Sequence, residues 1–183
     1  MQPRYLQLDT QALEYKVKSA LDILNSCKIC PRNCRANRSK GEKGFCETAR
    51  NAHLASYHLH FGEEPQIVGQ TGSGTIFFAG CNLGCVFCQN YEISRLANHF
   101  EQVTPQQLAQ IMLDLQSKGA HNVNLVTPTH VVPQILEALP LAIEQGLSIP
   151  LVYNCGGYES VDTLQLLDGV VDIYMPDIKF ADP

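Results

Sequence analysis

The sequence lacks the features that would place it in a membrane or direct it out of the cell. No apolar run approaches the roughly 18 residues of a transmembrane helix. The opening residues, MQPRYLQLDTQALEYK, contain no apolar stretch of the kind found in a signal peptide, so a cytoplasmic location is expected. An excess of positive charge is also absent, since the net charge is -5. A nucleic-acid partner or an anionic membrane surface is therefore not expected.

The chain does have enough apolar material for a packed domain, and many thiols. Of its 183 residues, 45% are hydrophobic, which suits one domain with a small appendage. It contains 8 cysteines, and all except Cys155 fall in two clusters. Disulfides are an alternative, but thiols two or three residues apart, in a chain without an export signal, favour metal binding in a reducing compartment.

The first cysteine cluster has the spacing Cys27-x2-Cys30-x3-Cys34-x11-Cys46 and follows an amphipathic helix predicted over residues 11–25. Four such thiolates form a structural zinc site or hold a second iron–sulfur cluster that relays electrons, and both alternatives stay open. We predict an N-terminal helix and Cys-rich metal-binding module over residues 1–70.

The same segment is rich in positive charge, in contrast to the rest of the chain. This charge suits an acidic partner protein or an electron donor of the flavodoxin or ferredoxin type, with a solvated charged loop as the alternative. The basic residues are Lys28, Arg32, Arg35, Arg38, Lys40, Lys43 and Arg50.

The second half alternates between apolar strands and amphipathic helices with short links. This order predicts a parallel sheet with right-handed crossovers, an α/β partial barrel of about four strands over residues 71–183. Ligands of such sheets bind beyond the carboxyl ends of the strands. Because no closing helix follows the fourth strand, we expect a C-terminal truncation. The strands are predicted over residues 76–79, 122–127, 149–153 and 170–175, and the helices from Thr104 onward and over residues 131–145 and 160–168.

Three cysteines with the spacing C-x3-C-x2-C follow the first predicted strand, in the stretch GCNLGCVFCQN. Three thiolates do not complete a tetrahedral structural zinc site, but they hold three irons of a [4Fe–4S] cube and leave the fourth iron open to a substrate or cofactor. Phe87 is expected to shield one side of that cluster and modulate its potential. The alternative is a zinc knuckle with a distant fourth ligand, such as Cys155 or a histidine.

The stretch GCNLGCVFCQNYEIS resembles the cluster loop of the radical S-adenosylmethionine (SAM) superfamily, whose signature is C-x3-C-x-Φ-C, with Φ aromatic, after the first strand of an α/β domain. The resemblance covers residues 25–183. It is closest to the branch called pyruvate formate-lyase-activating-enzyme-like proteins, which resemble the activating enzymes of glycyl radical enzymes. The further matching motifs are CKICPRNCR, GEKGFC, VTPTH, YNCGGYE and DIYMPDIKF.

This resemblance implies an enzyme with two cofactors. A [4Fe–4S] cluster would be held by Cys81, Cys85 and Cys88, and SAM would bind the open iron through its amino and carboxylate groups. The reduced cluster would cleave SAM to a 5′-deoxyadenosyl radical. In the activating enzymes this radical abstracts a hydrogen atom from a glycine of a partner protein, a glycyl radical enzyme.

The resemblance also implies cofactor-binding roles around the loop and at the strand ends. Thr127 and Thr129 stand where many members have G-G-E. Two other functions stay open, namely a noncatalytic iron–sulfur or zinc scaffold in electron transfer, and a radical SAM enzyme that acts on a small molecule. The expected cofactor-binding residues are Phe87, Gln89, Asn90, Thr127, Thr129, Asn154, Asp177 and Lys179.

Overall fold

Alternating strands and helices build the second half of the molecule, as the sequence pattern predicts. A computed structural model describes residues 2–179 of the chain. Residues 180–183, on which the expected truncation depends, lie outside the described residues. The helices are α1 (Thr10–Ile23), α2 (Pro65–Val68), α3 (Tyr91–Arg95), α4 (Pro105–Ser117), α5 (Val132–Glu144) and α6 (Val161–Leu167). The strands are β1 (Ala52–His60), β2 (Ser73–Ala79), β3 (Glu101–Val103), β4 (Val123–Val126), β5 (Leu151–Cys155) and β6 (Ile173–Pro176). Short 3-10 helices cover Arg4–Gln7, Leu24–Ser26, Arg38–Lys40, Ala97–His99 and Thr129–Val131.

The strands form one sheet in the order β3-β1-β2-β4-β5-β6. The strands β2, β4, β5 and β6 run parallel and are the four predicted strands, which confirms the α/β class. The strands β1 and β3 add an antiparallel edge. The sequence pattern did not indicate β3, because three residues are too few to show an alternation. Within residues 2–179 the sheet is open, so a closed barrel is not formed there.

Helices cover one face of the sheet and form the apolar core with it. The α5 helix packs against both α4 and α1, and its residues are accordingly apolar around most of the circumference. No helix in residues 2–179 is both long and apolar enough to cross a membrane. The buried core residues include Ile76, Phe78, Leu125 and Tyr153 from the strands and Leu108, Met112, Ile135 and Leu139 from the helices.

The start of α4 shows how local sequence fixes an element. The Gln107 N–H donates to the Thr104 side chain over 3.2 Å, and the Thr104 N–H donates to Gln107 Oε1 over 2.8 Å. This capping box satisfies two of the amide groups that a helix start leaves without partners, and Pro105 needs none. The predicted helix start at Thr104 is therefore confirmed.

The opposite face of the sheet leads to a cleft at the carboxyl ends of the parallel strands. The strand register places Phe77, Val126, Asn154 and Met175 side by side across β2, β4, β5 and β6. The first three of these residues line a cavity of about 170 Å³. The fold thus positions a ligand site where parallel sheets usually carry one.

The N-terminal part of the chain joins the sheet through β1. This strand pairs antiparallel with β2, so that His53 lies opposite Ala79. Because β1 follows the first cysteine cluster and β2 precedes the second, the pairing brings both clusters to the same end of the sheet. The predicted domain boundary at residue 70 stays a prediction, and it falls between two strands of this sheet.

Candidate functional site

The three cysteines of the C-x3-C-x2-C motif lie at the mouth of the cleft, on the segment that we call the cluster loop (residues 80–90). Cys81, Cys85 and Cys88 all line the cavity, are partly exposed and are free thiols. The Leu83 N–H donates to Cys81 Sγ over 3.4 Å, and Cys88 Sγ lies 3.4 Å from Ser94 Oγ. The loop thus presents three thiols to the space beyond the end of β2.

Two glycines allow the cluster loop to pack closely against its surroundings. Gly80 has a φ of 92°, in the left-handed region that glycine adopts at little cost. A Cβ at Gly80 would lie 2.5 Å from the Cys46 carbonyl oxygen and 3.0 Å from His130 Nε2. A Cβ at Gly156 would overlap the side chain of Leu83. A side chain at Gly80 would therefore push the loop away from the Cys46 backbone, whereas one at Gly156 would require the Leu83 side chain to move.

Polar residues from the loop and the other strand ends complete the cleft: Asn90, Thr127, Asn154, Asp177 and Lys179. Lys179 forms an ion pair with Asp177. The hydrogen bond to Asp177 raises the pKa of the Lys179 ammonium, and the nearby Cys85 and Cys81 add to this shift. The Thr127 backbone has a φ of 55°, which non-glycine residues adopt infrequently. The cleft thus offers amide, hydroxyl, carboxylate and ammonium groups beside the thiols.

Three residues predicted to bind the cofactor lie outside the lining of this cavity. Phe87 is 61% exposed, and Gln89 is also exposed. Thr129 is buried and donates a hydrogen bond to Glu159 over 2.6 Å. Cofactor binding by these three residues stays a prediction.

A half-buried carboxylate beside the cleft, Glu159, was not among the predicted site residues. Glu159 accepts hydrogen bonds from Thr129 Oγ1 over 2.6 Å and from the Tyr153 hydroxyl over 2.9 Å. Burial raises the pKa of Glu159, and these hydrogen bonds oppose the shift. Burial also raises the pKa of Cys155, which lines the cavity, to about 12. In the sequence, Glu159 ends the motif YNCGGYE, in the turn that follows a buried strand, but no role was predicted for it there.

The N-terminal cysteine segment (residues 27–46) contacts the cluster loop directly. Arg32 donates from Nε to the Asn82 carbonyl over 2.8 Å and from Nη2 to the Leu83 carbonyl over 2.5 Å. The Arg32 guanidinium also lies 3.7 Å from the centroid of the Phe45 ring. Asn82 is buried and donates to the Tyr158 carbonyl over 2.8 Å. The loop is therefore tied on one side to the N-terminal segment and on the other to the turn after β5.

Three of the four cysteines in this segment are buried, namely Cys27, Cys30 and Cys46, whereas Cys34 is exposed. Burial raises the pKa of the Cys30 thiol, and the neighbouring Cys46 and Cys27 raise it further. Burial likewise raises the pKa of the Cys46 thiol, and the positive charge of Arg38 opposes that shift. The three buried thiols therefore lie within electrostatic reach of one another.

The thiols of the cluster loop match the ligands that an iron–sulfur cube requires. In a [4Fe–4S] cube each thiolate binds its own iron atom, so three thiolates leave one iron open. Three free, partly exposed thiols on one short loop beside a polar cleft meet that demand. The fold and this loop together define the class, an α/β iron–sulfur protein with its site at the end of β2.

Comparison with known proteins makes this class more specific. The family description of the radical SAM superfamily matches residues 75–183, from within β2 through the cluster loop to the end of the chain. The chain therefore belongs to the radical SAM superfamily. Membership in this family implies a [4Fe–4S] cluster and S-adenosylmethionine.

Two relatives come from Methanocaldococcus jannaschii. The uncharacterized protein MJ0674 is 37% identical over 177 residues, which cover 92% of this chain and 50% of that protein. The uncharacterized protein MJ0808 is 25% identical over 169 residues, which cover 84% of this chain and 49% of that protein. The chain thus spans about half the length of the curated relatives it matches. No solved structure matches the chain significantly.

Proposed function

We propose that the chain carries the catalytic site of a radical SAM enzyme of the pyruvate formate-lyase-activating-enzyme-like branch. The observation that supports this most is the placement of Cys81, Cys85 and Cys88 on one loop at the mouth of a polar cleft. These three thiolates would hold the [4Fe–4S] cluster. When bound, the cluster would supply the electron that cleaves SAM to methionine and a 5′-deoxyadenosyl radical.

Side chains of the cleft offer partners for the methionine end of SAM, which carries an amino group and a carboxylate. The Asn154 amide oxygen and the Asp177 carboxylate accept hydrogen bonds and suit the amino group. The Lys179 ammonium donates and suits the carboxylate, and hydrogen bonds between charged groups are the stronger kind. All three residues line the same cavity as the thiols. Their role is to orient SAM against the cluster loop.

Apolar residues form another part of the cleft. Phe77 and Val126 are neighbours in the sheet register and line the cavity beneath the loop. An apolar surface there excludes water from the site, which protects a reactive radical from side reactions. The role of these two side chains is therefore to exclude water, and they do not react themselves.

We further propose that the hydrogen atom is taken from a glycine of a partner protein, a glycyl radical enzyme. The motifs GCNLGCVFCQNYEIS, VTPTH and YNCGGYE support this step through their resemblance to the activating enzymes. A reducing compartment, the cytoplasm, suits a chain whose thiols are all free.

The positive surface that suits an electron donor is smaller than the sequence indicates. Arg38 is buried, and Arg50 forms an ion pair with Glu137 over 2.6 Å. The exposed basic residues of the region are Lys28, Arg32, Arg35, Lys40 and Lys43. We propose that these five meet an acidic donor of the flavodoxin or ferredoxin type.

The experiment measures 5′-deoxyadenosine formed from SAM by the anaerobically reconstituted chain in the presence of dithionite. We expect product with the wild-type chain and none with the Cys81→Ala/Cys85→Ala/Cys88→Ala variant. Addition of pyruvate formate-lyase should produce an organic radical on that protein. Product without a radical on that protein would exclude pyruvate formate-lyase as the substrate. Bound iron without any product would point to a noncatalytic electron-transfer scaffold.

A further inference from the structure

A buried arginine in the N-terminal cysteine segment has no carboxylate to balance its charge. Arg38 is 0% exposed. It donates from Nε to the Ala49 carbonyl over 3.0 Å and from Nη1 to the His130 carbonyl over 2.8 Å. Its Nη2 is buried without a hydrogen-bond partner, and no ion pair among residues 2–179 includes this side chain. Because a guanidinium stays charged in proteins, this burial is unfavourable unless a negative group lies nearby.

Besides His130, the side chains that lie near this charge are cysteines. Arg38 Nη1 lies 3.8 Å from Cys27 Sγ. Arg38 is close enough to Cys46 to lower the pKa of its thiol, and Cys27 and Cys46 are close enough to Cys30 to raise the pKa of its thiol. Neutral thiols do not balance a guanidinium, but thiolates bound to a metal do.

The backbone around these thiols forms a closed loop. The Cys27 N–H donates to the Ala36 carbonyl over 3.0 Å, and the Arg35 N–H donates to the Cys27 carbonyl over 2.9 Å. These two hydrogen bonds tie the ends of residues 27–36 together, so that Cys30 and Cys34 lie within one turn-rich loop. Short loops of this kind hold two thiolates of a tetrahedral metal site.

The fourth cysteine reaches the same loop through a glycine. Cys34 Sγ packs against Gly44, where any Cβ would overlap it. Gly44 lies two residues before Cys46, so the chain that carries Cys46 runs beside Cys34. The four cysteines are therefore brought to one region by backbone contacts as well as by spacing.

We propose that Cys27, Cys30, Cys34 and Cys46 bind a metal centre as thiolates and that Arg38 supplies the balancing positive charge. The ligand is thiophilic, either Zn²⁺ or an iron–sulfur cluster, since four thiolates hold both. The sulfur atoms do not converge on one point within residues 2–179 as they stand. Binding therefore includes side-chain rotations within this set of four cysteines, the exposed Cys34 among them. This site lies outside the cleft and does not depend on SAM cleavage.

The test uses the whole chain with Cys81→Ala/Cys85→Ala/Cys88→Ala, so that thiols of the cluster loop bind nothing. Zn²⁺ is titrated into the metal-free, reduced protein against a chromophoric chelator, and iron and sulfide are measured after reconstitution in parallel. We expect one metal centre per chain. A further Arg38→Gln change should weaken Zn²⁺ binding by about 10- to 100-fold, as loss of a neighbour that supports the ligands does. Arg35→Gln, which removes the same charge from an exposed residue of the segment, should leave the affinity unchanged.

Zinc or an iron–sulfur cluster in this variant would each support the site and would decide which metal it holds. A chain that binds neither overturns the proposal. Equal affinities for the Arg38→Gln and Arg35→Gln variants would overturn the role of Arg38. If Arg38→Gln does not fold, Arg38→Lys replaces it and, because it keeps the charge, should retain Zn²⁺ binding. The cysteine site itself is then tested by Cys30→Ala, which should lose metal binding. Because the loop thiols are absent, none of these results depends on whether the chain cleaves SAM.

Discussion

The two cysteine-rich regions of this molecule are neighbours in space but differ in exposure. The cluster loop presents three partly exposed thiols to a polar cleft, whereas the N-terminal cysteine segment buries three of its four thiols, one of which lies 3.8 Å from Arg38. Thiolates that hold a cluster beside a cavity suit chemistry on a bound ligand. Four thiolates that leave no open coordination position suit a structural or electron-relay centre. The spacings of the two motifs are similar, so it is the surroundings that separate their roles.

The largest expected difference between the regions is in activity. We expect Cys85→Ala to lower SAM cleavage by more than about 100-fold, because the cluster loses one of its three protein ligands. The same change should alter the unfolding free energy of the metal-free chain by less than about 1 kcal/mol, because the thiol is partly exposed. Product analysis and urea unfolding measure the two effects. Cleavage by Cys85→Ala at the wild-type rate would remove the distinction between the regions.

The junction of the two regions, where His130 lies between Ala79 and Arg38, should make the chain less stable to unfolding in acid. His130 is fully buried, with Nε2 2.9 Å from the Ala79 carbonyl oxygen just before the cluster loop and its own carbonyl bonded to Arg38. Burial lowers the pKa of His130 from 6.5 to about 4, although the hydrogen bond to Ala79 opposes the shift. The pKa of His130 is lower in the folded chain than in the unfolded chain. The contribution of neutral His130 to the free energy of unfolding is therefore present above pH 6.5 and is lost as the pH falls toward 4.

The size of this loss follows from the two pKa values. The difference between 6.5 and about 4 corresponds to about 3 kcal/mol. Urea unfolding of the metal-free chain between neutral pH and pH 4 measures it, with His130→Gln as the variant that does not titrate. The variant should lose about 3 kcal/mol less than the wild type over this interval. Equal losses of unfolding free energy in the two proteins would show that protonation of His130 does not cause the acid sensitivity.

A glycine at the same junction offers a sharper geometric test. Gly80 and Gly146 have nearly equal φ values, 92° and 95°, so alanine meets a similar backbone penalty at both. A Cβ at Gly80 would lie 2.5 Å from the Cys46 carbonyl oxygen, whereas nothing lies within 4 Å of one at Gly146. We expect Gly80→Ala to lower the unfolding free energy by at least about 2 kcal/mol more than Gly146→Ala. Similar values for the two variants would mean that the regions are not in close contact.

The smallest expected effect concerns the hold of Arg32 on the cluster loop. Loss of its two hydrogen bonds to the Asn82 and Leu83 carbonyls in Arg32→Gln should speed amide hydrogen exchange in residues 80–90 by about tenfold. Arg35→Gln, a change of the same charge at an exposed position, serves as the control. Mass spectrometry of the metal-free chain measures the exchange. If both variants exchange alike, the N-terminal cysteine segment does not stabilise the loop.

Much of the fold could be predicted because its signals are local. The apolar runs of β2, β4 and β5, the capping box of Thr104 and Gln107, and the helix α5 all follow from short stretches of sequence. The C-x3-C-x2-C spacing likewise identifies the cluster loop without knowledge of its partners. In each case neighbouring residues contain the whole signal.

The remainder depends on contacts between distant residues, which periodicity does not reveal. Arg38 looks like one more charge of a basic surface, yet it is buried against His130, 92 residues away. Arg32 reaches the cluster loop 50 residues further along the chain. Glu159 is a half-buried acid that accepts hydrogen bonds from Thr129 and Tyr153, 30 and 6 residues away along the chain. Such long-range contacts decide which charged side chains are exposed on the surface and which lie at or beside the candidate site.

A SAM-binding cluster at Cys81, Cys85 and Cys88 is tested most directly by the electron paramagnetic resonance spectrum of the anaerobically reconstituted, reduced chain, recorded with and without S-adenosylmethionine. We predict a [4Fe–4S]⁺ signal from the cluster loop that changes when SAM is added, because the fourth iron is open to it. A cluster signal that is indifferent to SAM, or zinc in place of a cluster at Cys81, Cys85 and Cys88, would contradict it.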